Sequence, residues 1–203
     1  MQLLMIACDV YYLPANPINY PNNNLLQEMV LTMILAIDVQ YTNDNADVAG
    51  VLFDNWSSVD AAQCYLTEVA QVAEYEPGSF YKRELPCILQ LLQEHKLKPD
   101  IIVVDGYVYL DGVAKSGLGK YLYDSLGGEV EIIGVAKKPF VDISEKFAVY
   151  RGGSQKPLYV TSTGDVEQAK EAILSMAGKH RNPVLLKKVD QLCREAAKKR
   201  ISV

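Results

Sequence analysis

The order of hydrophobic and polar residues predicts strands and helices that alternate along most of the chain. An apolar run at 31–41 is typical of a buried strand, 46–53 of its paired strand, and the alternation over 61–72 of a third strand. Apolar residues recur at helical spacing over 80–95. The β-branched run at 101–104 ends in Asp-Gly and indicates a central parallel strand.

The second half of the chain continues this alternation. Three meandering strands followed by alternating helices and strands predict an α/β domain with a mixed sheet over residues 31–203. Residues 1–30 are rich in Pro and Asn and predict an irregular N-terminal segment. The further predicted helices are 115–126, 166–176 and 184–199, and the further predicted strands are 131–136, 147–151 and 158–162.

Composition narrows the protein class. With 203 residues, 49% hydrophobic and 22% charged, the chain is long enough for one packed domain. No apolar run reaches the length of about 18 residues that a membrane span needs, so we expect no membrane association. The scattered cysteines form no C-x-x-C pair, which argues against a zinc site. It favours free thiols, so we expect the protein in the reducing cytoplasm. They are Cys8, Cys64, Cys87 and Cys193.

Three acidic residues stand where an unpaired charge is costly. Asp38 lies within the apolar strand ILAIDV, and Asp105 ends the apolar strand IIVVDG. Glu84 lies on the helix predicted between them, one turn from Ile88. A carboxylate among apolar residues needs a cation or hydrogen-bond donors. If the three meet, their hard oxygen ligands would suit Mg²⁺ or Mn²⁺. Taken singly, Asp105 could start a turn and Glu84 could face solvent.

Several short motifs occur together in an order that resembles the endonuclease V family. That family has a ribonuclease H-like fold, and the resemblance extends from about Leu35 to Ala197. The matching segments are AIDVQY (36–41), YEPGSFYKRELP (75–86), PDIIVVDG (99–106) and IGVAKK (133–138), with a weaker match in RNP…D (181–190).

The resemblance implies a metal-dependent endonuclease that cuts DNA or RNA beside deaminated bases, chiefly hypoxanthine, and leaves a 3′-hydroxyl and a 5′-phosphate. It implies that Asp38, Glu84 and Asp105 bind Mg²⁺ or Mn²⁺ and that Lys137 lies near the scissile phosphate. Tyr75, Pro77 and Gly78 would form a wedge between the strands. We expect a monomer. Further nucleic-acid contacts are expected at Lys82, Arg83, Gly106 and Lys138.

The sequence also departs from the family pattern. Tyr107 stands where the family usually has histidine after Val-Asp-Gly, and Asp165 follows Gly164 where the family has a late Gly-His. Asp165 has two interpretations: an N-cap of the next helix with Gln168 completing the cap, or a fourth metal-binding carboxylate. These departures leave a second hypothesis open, namely a catalytically weakened ribonuclease H-like module that binds nucleic acid or protein.

Overall fold

The computed structural model describes the chain from residue 32 to residue 201, apart from Tyr75, Pro77 and Asp142. The predicted irregular segment 1–30 lies outside the described residues. Among the helices described, none is both long enough and apolar enough to cross a membrane.

The described residues form a seven-stranded mixed sheet. The strands are β1 (Ile34–Thr42), β2 (Asn45–Phe53), β3 (Gln63–Val69), β4 (Ile101–Val104), β5 (Glu131–Ala136), β6 (Ala148–Val149) and β7 (Leu158–Ser162). Their order in the sheet is β3-β2-β1-β4-β5-β7-β6. Strands β1, β4 and β5 are parallel to one another, whereas β2 and β3 on one side, and β7 and β6 on the other, pair antiparallel.

Four helices cover the two faces of this sheet. They are α1 (Tyr81–Glu94), α2 (Leu118–Ser125), α3 (Val166–Ser175) and α4 (Val184–Ile201). The side chains of α1 and α2 pack with Leu35 and Ile37 of β1, whereas those of α3 and α4 pack with Ile34 and Ala36. Successive side chains of a strand point to opposite faces of the sheet, so alternate residues of β1 pack in two different cores. This explains why the strand reads as one continuous apolar run.

The main difference from the predicted elements lies before β7. The strand predicted over 147–151 is reduced to Ala148–Val149, which a single 3₁₀ turn at Glu145–Phe147 precedes. Arg151 lies outside the strand, and its guanidinium donates to backbone carbonyls between α3 and α4. The remaining predicted elements are confirmed with shifts of a few residues at their ends.

Gly134 in β5 leaves room for the residues that follow β4 to pass close over the sheet. A Cβ at this position would lie 2.7 Å from both the Gly106 carbonyl oxygen and the Val108 nitrogen. The Val108 N–H donates to Thr161 Oγ1 at 2.8 Å in the same buried crossing. Any side chain at 134 would push this crossing away, so the glycine of the IGVAKK motif fixes the path of the residues that follow Asp105.

Candidate active site

Asp38 and Asp105 lie side by side at one edge of the sheet. Ile37 of β1 pairs in register with Val104 of β4, so the next residue of each parallel strand is an aspartate. The Val39 N–H donates to Asp38 Oδ1 at 2.9 Å. Burial, and then the negative charge of Asp105, raises the pKa of Asp38 to about 6. The two carboxylates therefore interact across neighbouring strands, as the sequence predicts.

Glu84 reaches the same edge from helix α1. It is only 3% exposed, and its Oε2 atom has no hydrogen-bond partner among the described residues. Burial raises the pKa of Glu84 well above its ordinary value, and the charges of Asp38 and Asp105 add to this effect. A buried carboxyl oxygen without a donor is costly. The structure thus brings together the three acids that the sequence singled out.

Lys137 supplies a positive charge to this cluster. It follows the last residue of β5, and its Nζ donates to Asp105 Oδ2. The same ammonium lies 4.0 Å from the Asp190 carboxylate. Burial opposes protonation of Lys137, but Asp105, Asp38 and Asp190 together raise its pKa. The lysine is therefore a charged group at the edge where the carboxylates meet.

Asp190 is a fourth acidic residue here to which the sequence interpretation gave no role. Helix α4 packs across β1 and β2 and places Asp190 beside Lys137. Its charge contributes to the raised pKa of Asp38, and Arg194 pairs with it at 3.0 Å. The signal was present in the sequence, because Asp190 closes the weakly matching segment 181–190.

Within the described part of the chain, two cavities adjoin Asp105. The smaller has a volume of about 40 Å³ and lies between the strand ends and the start of α4. A buried water needs about 10–15 Å³, so the cavity has room for only about three water molecules. Its polar lining consists of Asp38, Asp105, Lys137, Asn182, Lys187 and Asp190.

The larger cavity, about 440 Å³, lies on the other side of Asp105. The start of α1 forms one wall and residues 105–121 form the other. Tyr81 and Tyr121 stack within this lining, with ring centroids 3.7 Å apart. Gly78 and Gly106, two of the predicted nucleic-acid contacts, also line it. The cavity thus offers aromatic and backbone surfaces next to the acids.

The remaining predicted nucleic-acid contacts are placed differently. Lys82 pairs with Glu76 at 2.7 Å on the surface, and Lys138 is exposed next to Lys137. Arg83 is engaged within the protein, because its guanidinium lies 4.1 Å from the Tyr41 ring centroid and its Nη2 donates to the Asn43 carbonyl. The predicted wedge residues Tyr75 and Pro77 lie outside the described residues.

The structure does not bring Asp165 to the acidic cluster. It is the N-cap of α3, where its Oδ1 accepts from the Gln168 N–H at 2.9 Å. Strand β7 runs antiparallel to β5, so its last residue, Ser162, pairs near the start of β5 rather than near Lys137. Asp165 follows that end and lies at the opposite edge of the sheet. The expectation of a fourth metal ligand at this position is therefore wrong.

A comparison with known protein families shows which family this chain belongs to. The family model of endonuclease V matches residues 19–173, well over half of the chain. This chain belongs to the endonuclease V family. The family match begins at residue 19, earlier than the motifs at 36–41 that suggested it. Together with the mixed sheet and its flanking helices, membership confirms the predicted ribonuclease H-like fold.

Individual endonuclease V proteins show the same relationship. The endonuclease V of Trichormus variabilis is 29% identical over 142 residues, which cover 58% of this chain and 62% of that protein. The alignment thus spans less than two thirds of that relative. The crystal structure of endonuclease V from Streptomyces avermitilis is 28% identical, covers 84% of each chain and has a TM-score of 0.70.

A third relative was solved with nucleic acid. The Ciona intestinalis endonuclease V, in complex with a 24mer DNA containing an inosine followed by a ribo-adenosine, is 19% identical. It covers 83% of this chain and 87% of its own, with a TM-score of 0.67. At this identity the likeness concerns the fold alone.

The carboxylates of Asp38, Glu84 and Asp105 in this endonuclease V family member are of the ligand type that divalent cations prefer. All are hard oxygen donors, and the buried Glu84 Oε2 is without a donor in the described part of the chain. Among the described residues, no three Asp, Glu, His or Cys side chains are arranged so that they could hold a metal ion as they stand. The Lys137 ammonium donates to Asp105 Oδ2. A cation that binds this oxygen would have to displace the ammonium or bind the carboxylate together with it.

Proposed function

We propose that this chain is a divalent-metal-dependent endonuclease that hydrolyses phosphodiester bonds near deaminated bases in DNA or RNA. The observation that carries the proposal is the position of Asp38 and Asp105 side by side on parallel strands, where the charges of both act on the buried Glu84 and Lys137 donates to Asp105. Buried acids whose pKa is raised by burial and by neighbouring charges, as for Asp38 and Glu84, are typical of functional sites. The products would carry a 3′-hydroxyl and a 5′-phosphate.

Asp38, Glu84 and Asp105 would hold the metal, which we propose to be Mg²⁺ or Mn²⁺. When bound, such an ion lowers the pKa of a water and neutralises phosphate charge. Lys137 would place a fixed positive charge next to the phosphate, where negative charge develops in the transition state. Asp190 would keep the Lys137 ammonium at this edge, since the two groups are 4.0 Å apart.

The larger cavity beside Asp105 is proposed to receive the damaged base. A base cannot be inspected within the helical stack, so an enzyme that reads it must take it out. The stacked rings of Tyr81 and Tyr121 offer an apolar wall, and Gly78 and Gly106 leave the backbone accessible. The inosine-containing DNA bound by the Ciona intestinalis protein supports a substrate of this class.

Cleavage of a labelled inosine-containing oligonucleotide tests the proposal. The full chain is incubated with and without Mg²⁺, beside the same strand without inosine, and Asp105→Asn serves as the matched variant. We expect inosine- and metal-dependent cleavage by the wild type, and binding without cleavage by Asp105→Asn. Wild-type binding without cleavage in either Mg²⁺ or Mn²⁺ would instead support a weakened binding module.

A further inference from the structure

The backbone of Lys137 is held by a side chain from outside the sheet. The pairing of β5 with β7 ends at Ala136, so the Lys137 carbonyl has no partner in that strand pair. Arg181 Nη2 donates to this carbonyl and, at 2.7 Å, to the carbonyl of Pro157, the residue before β7. One guanidinium nitrogen therefore joins the exit of β5 to the start of β7.

Arg181 is itself held in place by a second arginine. Arg151, which is 7% exposed, donates from Nη1 to the Arg181 carbonyl at 3.3 Å and to the His180 carbonyl at 3.1 Å. Its Nη2 donates to the carbonyls of Met176 and Gly178. All four acceptors belong to the connection between α3 and α4. Arg151 thus fixes the segment that carries Arg181.

Residue Lys138 has a tether of its own. The Tyr107 hydroxyl donates to the Lys138 carbonyl at 2.7 Å and accepts from the Phe140 N–H at 3.1 Å. Two consecutive carbonyls, those of Lys137 and Lys138, are therefore bound by side chains from different parts of the fold. A lysine side chain has a flexible four-carbon stem, so the backbone anchor sets the region that the ammonium can reach.

We propose that Arg181 is a positioning residue that holds the Lys137 ammonium at Asp105 and Asp190. The backbone bond anchors one end of the Lys137 side chain, and the two carboxylates hold the other end. This role of Arg181 rests on the proposed nuclease function where it is tested by activity. A second measurement, made on the protein without metal or substrate, is independent of that function.

The activity measurement is a double-mutant cycle under single-turnover conditions with Mg²⁺. Arg181→Met keeps the length of the side chain but removes the donors, and we expect about a 100-fold lower cleavage rate with unchanged substrate binding, the scale of a displaced catalytic group. In a Lys137→Met background the same change should have little further effect. An equal loss in both backgrounds would show a general packing role and overturn the proposal.

Arg181→Lys provides the conservative comparison. It keeps the positive charge and N–H donors, so it should retain more of the cleavage rate than Arg181→Met. Lys156→Met removes an exposed positive charge beside Pro157 and should leave the rate unchanged. A rate for Arg181→Lys as low as that for Arg181→Met, at equal thermal stability, would also count against positioning.

The independent measurement is the NMR signal of the Lys137 ammonium in ¹⁵N-lysine-labelled protein without metal. The signal is assigned by its loss in Lys137→Met. We expect Arg181→Met to shift or broaden it, while Lys156→Met leaves it in place. An unmoved signal in Arg181→Met overturns the proposal even if the wild type cleaves. If the wild type does not cleave, the nuclease function fails but this signal still decides the role of Arg181.

Discussion

The Lys137 ammonium lies 4.0 Å from the Asp190 carboxylate while it donates to Asp105. One residue comes from the exit of β5 and the other from helix α4, on a part of the chain more than fifty residues later. The pair therefore joins the sheet edge to the helix that covers it. It also means that the charge of Lys137 is shared between an expected metal ligand and a residue of α4.

We predict that Asp190→Asn lowers the cleavage rate by about 10- to 100-fold, the usual cost of losing a group that orients a metal-site residue. The reason is that the amide no longer attracts the Lys137 ammonium. Cleavage kinetics at saturating Mg²⁺ measure the effect. Glu195→Gln, which removes an exposed acid from the same helix, is the control and should be unaffected. Equal rates for wild type and Asp190→Asn would remove Asp190 from the site.

The stabilisation of the protein by Mn²⁺ should depend on pH. Burial and Asp105 raise the pKa of Asp38 to about 6, so its carboxyl group is protonated at about pH 5 and ionised at about pH 8. Without metal, the folded protein holds this proton longer than the unfolded chain. Its stability therefore falls as pH rises from about 4 to about 6. A cation binds only the ionised form and should offset that loss.

Thermal unfolding with and without Mn²⁺ checks this dependence. We expect a larger rise in Tm at about pH 8 than at about pH 5, because ligands must be deprotonated before they bind a cation. Asp38→Asn removes the titrating group and should reduce both the rise and its pH dependence. An equal rise in Tm at both pH values in the wild type would mean that the cation binds elsewhere.

Much of the site could be predicted from sequence because its residues stand in short motifs tied to regular elements. Asp38 follows the apolar residues 34–37 within β1 and Asp105 directly follows β4, and the parallel pairing of these two strands brings the two aspartates together. The role of Arg83 could not be predicted, since its stacking on Tyr41 depends on how α1 packs against β1. Asp190 was missed for a similar reason: helical periodicity does not tell which sheet edge a helix crosses.

The position of Asp165 shows a second reason why the sequence could not predict the whole site. A Gly-Asp at a strand-to-helix junction is visible in the sequence, but the direction of the strand is not. Because β7 is antiparallel to β5, that junction falls at the edge away from Lys137. The local prediction of an N-cap was confirmed, since the cap bond depends only on residues 165–168.

Asp165 should therefore matter for stability and not for cleavage. Asp165→Ala removes the acceptor of the Gln168 N–H and should cost about 1 kcal/mol of unfolding free energy. Asp165→Asn and Asp165→Ser keep a capping oxygen and should remain near wild type. Denaturant unfolding and the Mg²⁺ dependence of cleavage are measured for all three. A higher Mg²⁺ requirement in the Asn variant would restore a metal role.

The predicted wedge can be tested although Tyr75 lies outside the described residues. We predict that Tyr75→Ala slows cleavage of an inosine-containing duplex more than cleavage of the single strand. A base must be held out of a stack only in the duplex, and base–aromatic stacking contributes about 1–3 kcal/mol per base. Tyr150→Ala, at an exposed tyrosine outside both cavities, is the control. Similar losses on both substrates would make Tyr75 a loop residue.

The central claim is that Asp38, Glu84 and Asp105 form a metal site, and Mn²⁺ located by anomalous scattering in crystals of the full chain tests it most directly. We predict an anomalous peak with oxygens of these carboxylates within about 2.0–2.6 Å. The peak should be lost in crystals of Glu84→Gln grown and soaked in the same way. The absence of a peak at the three acids in the wild type, or a peak bound only by other residues, would contradict the account.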